Sequence, residues 1–122
     1  MNNYQIYEEI GKGRFSVVYK GRRKKSVDYY AIASIEKQQR QRVLNSVHFL
    51  RALTHPNVIE FHSWYETNNH LWVITEYCTG GDLRSILGVQ KTFSERSISV
   101  LAADIANGLM HMHSQGVMYC DL

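Results

Sequence analysis

Cysteine is scarce in this sequence, and long apolar runs are absent. The two cysteines, Cys78 and Cys120, lie far apart and match neither a CxxC metal spacing nor a disulfide framework. No stretch of about 18 apolar residues occurs, and no basic start precedes an apolar segment, so neither a membrane span nor a secretory signal is predicted. We therefore expect a cytoplasmic location in a reducing compartment and no membrane partner.

Neither sign of charge strongly predominates in the sequence. The chain has 14 Lys and Arg against 11 Asp and Glu, which gives a net charge of +3. Most of the excess lies in two basic runs, residues 22–25 and 37–42. Such runs can bind nucleic acid, but the first falls between two strand-like segments, where a solvated hairpin tip explains it equally well. A basic nucleic-acid-binding module is therefore the last of three functional hypotheses.

The six histidines do not predict a metal site. His111 and His113 are two apart on a predicted helix and so point to different sides. No cysteine or carboxylate clusters near His55 or His62. We expect no bound metal at these residues.

The composition is that of a folded globular protein, and its first part predicts strands. Hydrophobic residues make up 44% of the 122 residues and charged residues 20%. A chain of this length predicts one domain or a piece of one. Runs rich in β-branched and aromatic residues predict five antiparallel strands, at residues 5–10, 16–21, 29–35, 58–66 and 70–76.

Helical spacing of apolar residues predicts the remaining elements. An amphipathic helix is expected over residues 38–53, before the stop signal at Pro56. After Gly80 and Gly81, Asp82 is expected to cap a short helix over residues 83–87. A capping box from Thr92 to Glu95 starts a long helix that ends before Gly116, with an apolar face of Ile98, Leu101, Ile105, Leu109 and Met112. The order of these elements predicts an α+β fold rather than an alternating βαβ fold.

A glycine-rich loop lies between the first two predicted strands. Gly11, Gly13 and Ser16 occupy the three small-residue positions of a GxGxxG-like pattern. A dinucleotide-binding loop would need a helix after it, so that interpretation fails. A hairpin context suits a phosphate-covering loop of the kinase type, although glycines also mark plain hairpins.

The order of landmarks along all 122 residues resembles the eukaryotic protein-kinase domain. The strings YEEIG, VVYKGRRK, WYET, NHLW and CTGG are most similar to the Fused and Unc-51-like group, in particular its runt-like (Runkel) pseudokinase branch. The resemblance implies an N-lobe of five strands and one helix over residues 1–76, a hinge over 77–81 and the start of a helical C-lobe over 82–122. Its landmarks are the glycine loop, Tyr30-Ala31-Ile32, His55-Pro56-Asn57-Val58, Glu76-Tyr77-Cys78 and Tyr119-Cys120-Asp121-Leu122.

The resemblance also implies a nucleotide site. The family places Val18 above the adenine, Ala31 beside it and Thr75 at the gatekeeper position. Backbone groups of the hinge read the adenine edge. The nucleotide-binding residues implied in this way are Ile10, Gly11, Gly13, Ser16, Val18, Ala31, Thr75, Glu76, Tyr77 and Cys78.

Several residues that carry the family's chemistry are missing. Ala33 stands where the family has its phosphate-binding lysine, and Ser46 where it has the glutamate that pairs with that lysine. In the catalytic-loop triplet, Tyr119 and Cys120 replace His and Arg, and only Asp121 is kept. These departures favour a pseudokinase.

Two lysines are candidates to replace the missing cation. Strand alternation would point Lys37 to the face of Ala31 and Ala33, and Lys20 to the face of Val18. Each may equally well solvate a strand end, because a lysine stem packs on apolar surface while its amino group reaches water.

The first functional hypothesis is therefore a pseudokinase that binds ATP and acts as a scaffold or regulator. The resemblance suggests cytoskeletal or ciliary protein partners, and thus a location at the cytoskeleton or cilium. The second hypothesis is an active Ser/Thr protein kinase that uses a displaced lysine. Mg²⁺ binding is left open, because the family's metal ligands, a later Asn and an Asp-Phe-Gly, fall beyond Leu122.

Overall fold

The computed structural model describes residues 3–79, 83–90 and 92–116. The chain divides into two compact units. The first comprises Met1–Ala52 and Ile59–Tyr77, and the second comprises Leu53–Val58 and Cys78–Leu122. The short segment Leu53–Val58 therefore groups with residues far along the chain, which the sequence did not indicate.

The first unit is built on a five-stranded antiparallel sheet. Its order is β1-β2-β3-β5-β4, so only β3 and β5 are neighbours without being consecutive. The sheet and the helices confirm the predicted α+β fold. The strands are β1 Tyr4–Lys12, β2 Ser16–Arg23, β3 Tyr29–Glu36, β4 Phe61–Glu66 and β5 His70–Glu76.

The two faces of the sheet have different roles. One face, which we call the core face, carries a cluster in which Ile32 and Ile74 are fully buried beside Tyr4, with Tyr30, Tyr65 and Trp72 packed against it. Because side chains alternate along a strand, Ala31 and Ala33 lie on the opposite face. We call this opposite face the alanine face.

The helix after β3 is shorter than predicted. A 3-10 turn at Lys37–Gln39 leads into α1, Arg40–Leu50, whereas the apolar spacing predicted a helix to residue 53. The Arg51 amide still bonds the Val47 carbonyl, but the Ala52 amide bonds the Phe49 carbonyl, so the helix closes in a tighter turn. Leu53 is buried outside the helix, so its apolar character reflects packing rather than helical periodicity.

The predicted hairpin of β4 and β5 is present, although β4 begins at Phe61 rather than at Val58. The Val58 amide instead donates to the His55 carbonyl in a turn. At the hairpin end, the Thr67 amide donates to the His70 carbonyl at 2.9 Å. The Trp72 indole N–H donates to the Thr67 hydroxyl at 2.9 Å and so ties the turn to β5.

The second unit contains two helices in its described part, α2 Leu83–Gln90 and α3 Glu95–Ser114. α2 runs beyond the predicted residues 83–87. The cap of α3 is Ser94 rather than Thr92, because the Ser94 hydroxyl accepts the Ser97 amide at 3.1 Å. Gly116 follows α3 with φ +79°, in agreement with the predicted end. The predicted cap Asp82 and the breaker Gly80-Gly81 lie outside the described residues.

The segment Leu53–Val58 packs on α3 within the second unit. The rings of His55 and His111 stack with their centroids 4.9 Å apart. His55 Nδ1 accepts the Asn57 amide at 3.0 Å, which places the proton of a neutral His55 on Nε2. This pair could not be predicted from the sequence, because its members are far apart along the chain. Among the described residues, no group of three or more metal-binding side chains occurs.

None of the described helices is both long and apolar enough to cross a membrane.

Candidate functional site

Four predicted site residues lie together on the alanine face. Val18 of β2 pairs with Ala33 of β3, and Ala33 pairs with Val73 of β5. One step along the sheet, Ala31 pairs with Thr75. The register therefore brings Val18, Ala31, Ala33 and Thr75 to one surface, and adenine binding at this surface stays a prediction.

The glycine loop joins β1 and β2 and is closed by main-chain bonds. The Gly13 amide donates to the Ser16 carbonyl at 2.9 Å. The Phe15 carbonyl accepts the Glu36 amide at 3.0 Å, which attaches the loop to the end of β3. Gly11 lies opposite Val18 in the register, and Ile10 beside it is 45% exposed. These main-chain bonds give the loop a defined shape.

A cavity of about 350 Å³ lies behind this loop, but it opens on the core face of the sheet. Its lining includes Tyr19, Ser34 and Trp72, which alternate with residues of the alanine face. The cavity shares Gly13 and Ser16 of the glycine loop with the predicted nucleotide site, but it opens on the other side of the sheet from Ala31 and Ala33.

At the position of the family's lysine, the sheet offers only a methyl group. Ala33 lies between two valines in the register, and its side chain carries neither a charge nor a donor. Ser46, at the position of the paired glutamate, is exposed on α1 and donates its hydroxyl to the Arg42 carbonyl at 3.2 Å. Such a bond to the preceding helical turn is a local feature of a helical serine.

Lys37 does not project from β3, because that strand ends at Glu36. Its amino group forms an ion pair with Glu66 of β4 at 3.1 Å, and Arg40 contacts the same carboxylate oxygen at 3.2 Å. The hydrogen bond from Lys37 and that from Arg40 lower the pKa of Glu66 below its ordinary value. The alternation that grouped Lys37 with Ala33 therefore does not apply, and its phosphate-binding role stays a prediction that this geometry does not favour.

Lys20 lies on the alanine face, opposite Ala31 in the register. Its amino nitrogen is 4.7 Å from the ring centroid of Tyr29 and 5.2 Å from that of Tyr77. Both distances are within the range of cation–π attraction. Lys20 is thus held at the predicted hinge end of the face, beside Tyr77.

The start of the predicted hinge is held by Glu60, which the sequence did not indicate. The Glu76 amide donates to the Glu60 carbonyl, and the Glu60 amide donates to the Glu76 carboxylate, both at 2.9 Å. On its other side, Glu76 pairs with Tyr30 of β3. Cys78, two residues on, is exposed and carries a free thiol. The predicted catalytic-loop residues Tyr119, Cys120 and Asp121 lie outside the described residues.

Comparison with known proteins identifies the family. The model of the protein kinase domain matches residues 4–122. The chain is 49% identical over its whole length to serine/threonine-protein kinase RUNKEL of Arabidopsis thaliana, and 42% identical to serine/threonine-protein kinase ULK4 of Mus musculus. These relatives confirm the predicted similarity to the Unc-51-like group. The chain spans only 9% of the length of each of these two relatives.

Solved structures support the same fold. The crystal structure of Rad53 1-466 in complex with AMP-PNP superimposes with a TM-score of 0.89 at 24% identity. The match covers 98% of this chain and 33% of that one. At this identity the likeness establishes the fold alone.

Proposed function

The chain belongs to the protein kinase domain family, and from that premise we propose that it is part of a pseudokinase. In this proposal the domain binds ATP, does not transfer its phosphate efficiently, and acts as a scaffold or regulator. The site residues are those that the resemblance implied, from Ile10 in β1 to Cys78 after β5.

The alanine at position 33 is the observation that carries the proposal. Phosphoryl transfer depends mainly on positioning and on stabilising charge, and in kinases a lysine of this strand holds two phosphates. Ala33 removes two charge-assisted hydrogen bonds of about 1.5–3 kcal/mol each, which corresponds to roughly 10²–10⁴ in rate if they act in the transition state. Lys37 is engaged by Glu66 and Lys20 by two tyrosines, so neither lysine stands in for the missing one in this arrangement.

Nucleotide binding is supported by the parts of the site that are kept. The alanine face presents small and β-branched side chains at Val18, Ala31 and Thr75, where an adenine ring needs a flat apolar surface. The closed glycine loop and the fixed start of the hinge provide backbone groups at two edges of this face. The solved neighbour was crystallised with AMP-PNP, a fact about that protein that agrees with an ATP-type ligand here.

The cellular role of the whole protein follows only from the resemblance. We propose protein partners of the cytoskeleton or cilium and a cytoplasmic location, since the similar pseudokinase branch suggests them. Mg²⁺ is not required in this proposal, because the lysine that works together with the metal is missing.

Phosphotransfer in the full-length protein tests the pseudokinase proposal. Radiolabelled ATP with a generic protein substrate is expected to give no incorporation above that of an Asp121→Asn variant. An active Ser/Thr kinase would give clear turnover that this substitution abolishes, and that outcome would overturn the proposal.

A further inference from the structure

A short row of aromatic rings and cations lies at the hinge end of the alanine face. The Lys20 amino group contacts the rings of Tyr29 and Tyr77, at 4.7 Å and 5.2 Å from their centroids. Tyr29 in turn contacts Tyr7 of β1, with ring centroids 6.2 Å apart. The row therefore connects β1, β2, β3 and the residue that follows β5.

The far end of this row is held in place by Arg22. Its Nε donates to the Tyr7 hydroxyl at 3.0 Å, and its Nη1 donates to the Ser26 carbonyl at 3.0 Å. Tyr29 is therefore in contact with a ring that is itself held in place. A supported ring is a better partner for a cation, because less side-chain freedom is lost when the contact forms.

Tyr77 is the residue at which support from the sheet ends. β5 ends at Glu76, which is held by Tyr30 on one side and by Glu60 on the other. Tyr77 has no partner in the strand register, so its position depends on contacts of its side chain. Lys20 provides such a contact from β2.

We propose that Lys20 is a positioning residue for adenine recognition. It holds the Tyr77 ring and so fixes the backbone of residues 76–78, whose N–H and C=O groups would bind the adenine edge. Lys20 does not contact phosphate in this arrangement. The inference rests on the proposed nucleotide binding. It adds that part of the nucleotide affinity depends on the contact between Lys20 and the Tyr77 ring, away from the phosphates.

Nucleotide affinity of the full-length protein tests the first half of the proposal. Lys20→Met keeps the aliphatic stem and removes the charge, and it is expected to weaken ATP and adenosine binding alike by about two- to fivefold, because an exposed cation–π contact contributes about 0.5–1 kcal/mol. Lys20→Arg should restore affinity, since a guanidinium also binds ring faces. Lys24→Met, at the hairpin tip, is the matched control and should leave affinity unchanged.

A double-mutant cycle identifies the partner of Lys20. If Lys20 acts through the ring of Tyr77, then Lys20→Met and Tyr77→Leu together weaken binding no more than either does alone. Additive effects would show that Lys20 acts on the ligand by another route and would overturn the proposal. So would a loss for ATP without a loss for adenosine, because that pattern identifies a phosphate-binding lysine.

Amide hydrogen exchange without nucleotide tests, independently of the proposed function, whether Lys20 holds the Tyr77 ring. Exchange in residues 77–79 is expected to be faster in Lys20→Met than in the wild type and unchanged in Lys20→Arg. If the wild type binds no ATP but this exchange difference appears, the nucleotide proposal fails while the positioning role of Lys20 stands. Equal exchange in all three proteins would overturn the positioning role.

Discussion

The carbonyl oxygen of Asn57 occupies the space that a side chain on Gly108 would need. A Cβ built on Gly108 would lie 2.8 Å from that oxygen and 3.3 Å from the Asn57 Cβ. Real Cβ atoms essentially never approach backbone so closely, and a main-chain carbonyl cannot move aside as the end of a flexible side chain can. The absence of a side chain at position 108 therefore lets α3 approach the segment Leu53–Val58.

We expect Gly108→Ala to destabilise the domain. In an exposed helix alanine would be favoured over glycine by about 1 kcal/mol, but overpacking of a close contact typically costs about 1–3 kcal/mol. Gly88 on α2 is the matched control, because a Cβ there would meet no atom within 4 Å. Thermal melting of the kinase domain should therefore show a lower Tm for Gly108→Ala and a higher one for Gly88→Ala. A higher Tm for both would contradict the close approach.

The ion pairs of Glu66 predict a pH dependence of stability. The hydrogen bonds from Lys37 and Arg40 lower the pKa of Glu66 in the folded state. A group with a lowered folded pKa contributes stability above its unfolded pKa and loses that contribution as the pH falls through the folded pKa. We expect Glu66→Gln to be less stable than the wild type at neutral pH and equal to it in strong acid.

The effect should be small, since Glu66 is on the surface and its pairs are screened by solvent and salt. Glu8→Gln provides the control, because Glu8 forms no ion pair within the described part of the chain. Melting curves from neutral pH into acid would reveal the difference. A gap between Glu66→Gln and the wild type that stays constant with pH would exclude the ion pairs as its cause.

ATP binding is expected to be weak and to depend little on Mg²⁺. The alanine face and the hinge contact are present, whereas the family's lysine is replaced by Ala33. Titration with millimolar ATP should raise the Tm of the kinase domain equally in Mg²⁺ and in EDTA, through mass action on the folded state. Ala31→Phe, which fills the predicted adenine position, should abolish the shift. No shift under either condition would leave only a scaffold role.

The isolated 122-residue chain is expected to self-associate. Ile98, Val100 and Met110 of α3 are 51%, 56% and 67% exposed, and exposed apolar patches favour association. The predicted stripe is exposed only in part: Leu101, Ile105, Leu109 and Met112 are half-buried. The segment Leu53–Val58, which packs on α3 at Gly108 and His111, accounts for some of this cover.

Light scattering at equal concentrations would compare this chain with a complete kinase domain and with an Ile98→Lys, Met110→Lys double variant. Both should be more monomeric than the isolated chain, because the complete domain covers exposed apolar side chains of α3 and the double variant replaces two of them with charged ones. A compact monomer with cooperative melting for the isolated chain would show that the exposed residues of α3 do not drive association.

The strands and the lack of the family's phosphate-binding lysine could be predicted from the sequence. Alternation and β-branched residues are local properties, so they located the five strands to within a few residues. The alanine at position 33, in place of a lysine, is likewise visible in the sequence, and so is the small-residue pattern of the glycine loop. The helix ends were predicted less well, because Leu53 is apolar for a packing reason and the cap of α3 is Ser94 rather than Thr92.

The tertiary structure alone decided what the displaced lysines contact and which distant residues meet. Lys37 and Lys20 look alike in the sequence, yet one pairs with Glu66, 29 positions away, and the other with two tyrosine rings. The stacking of His55 on His111 and the hydrogen bond between Glu60 and Glu76 likewise join residues that are distant in the sequence. A local pattern fixes the direction of a side chain relative to its own strand or helix, but the partner it reaches depends on how separate elements fold against one another.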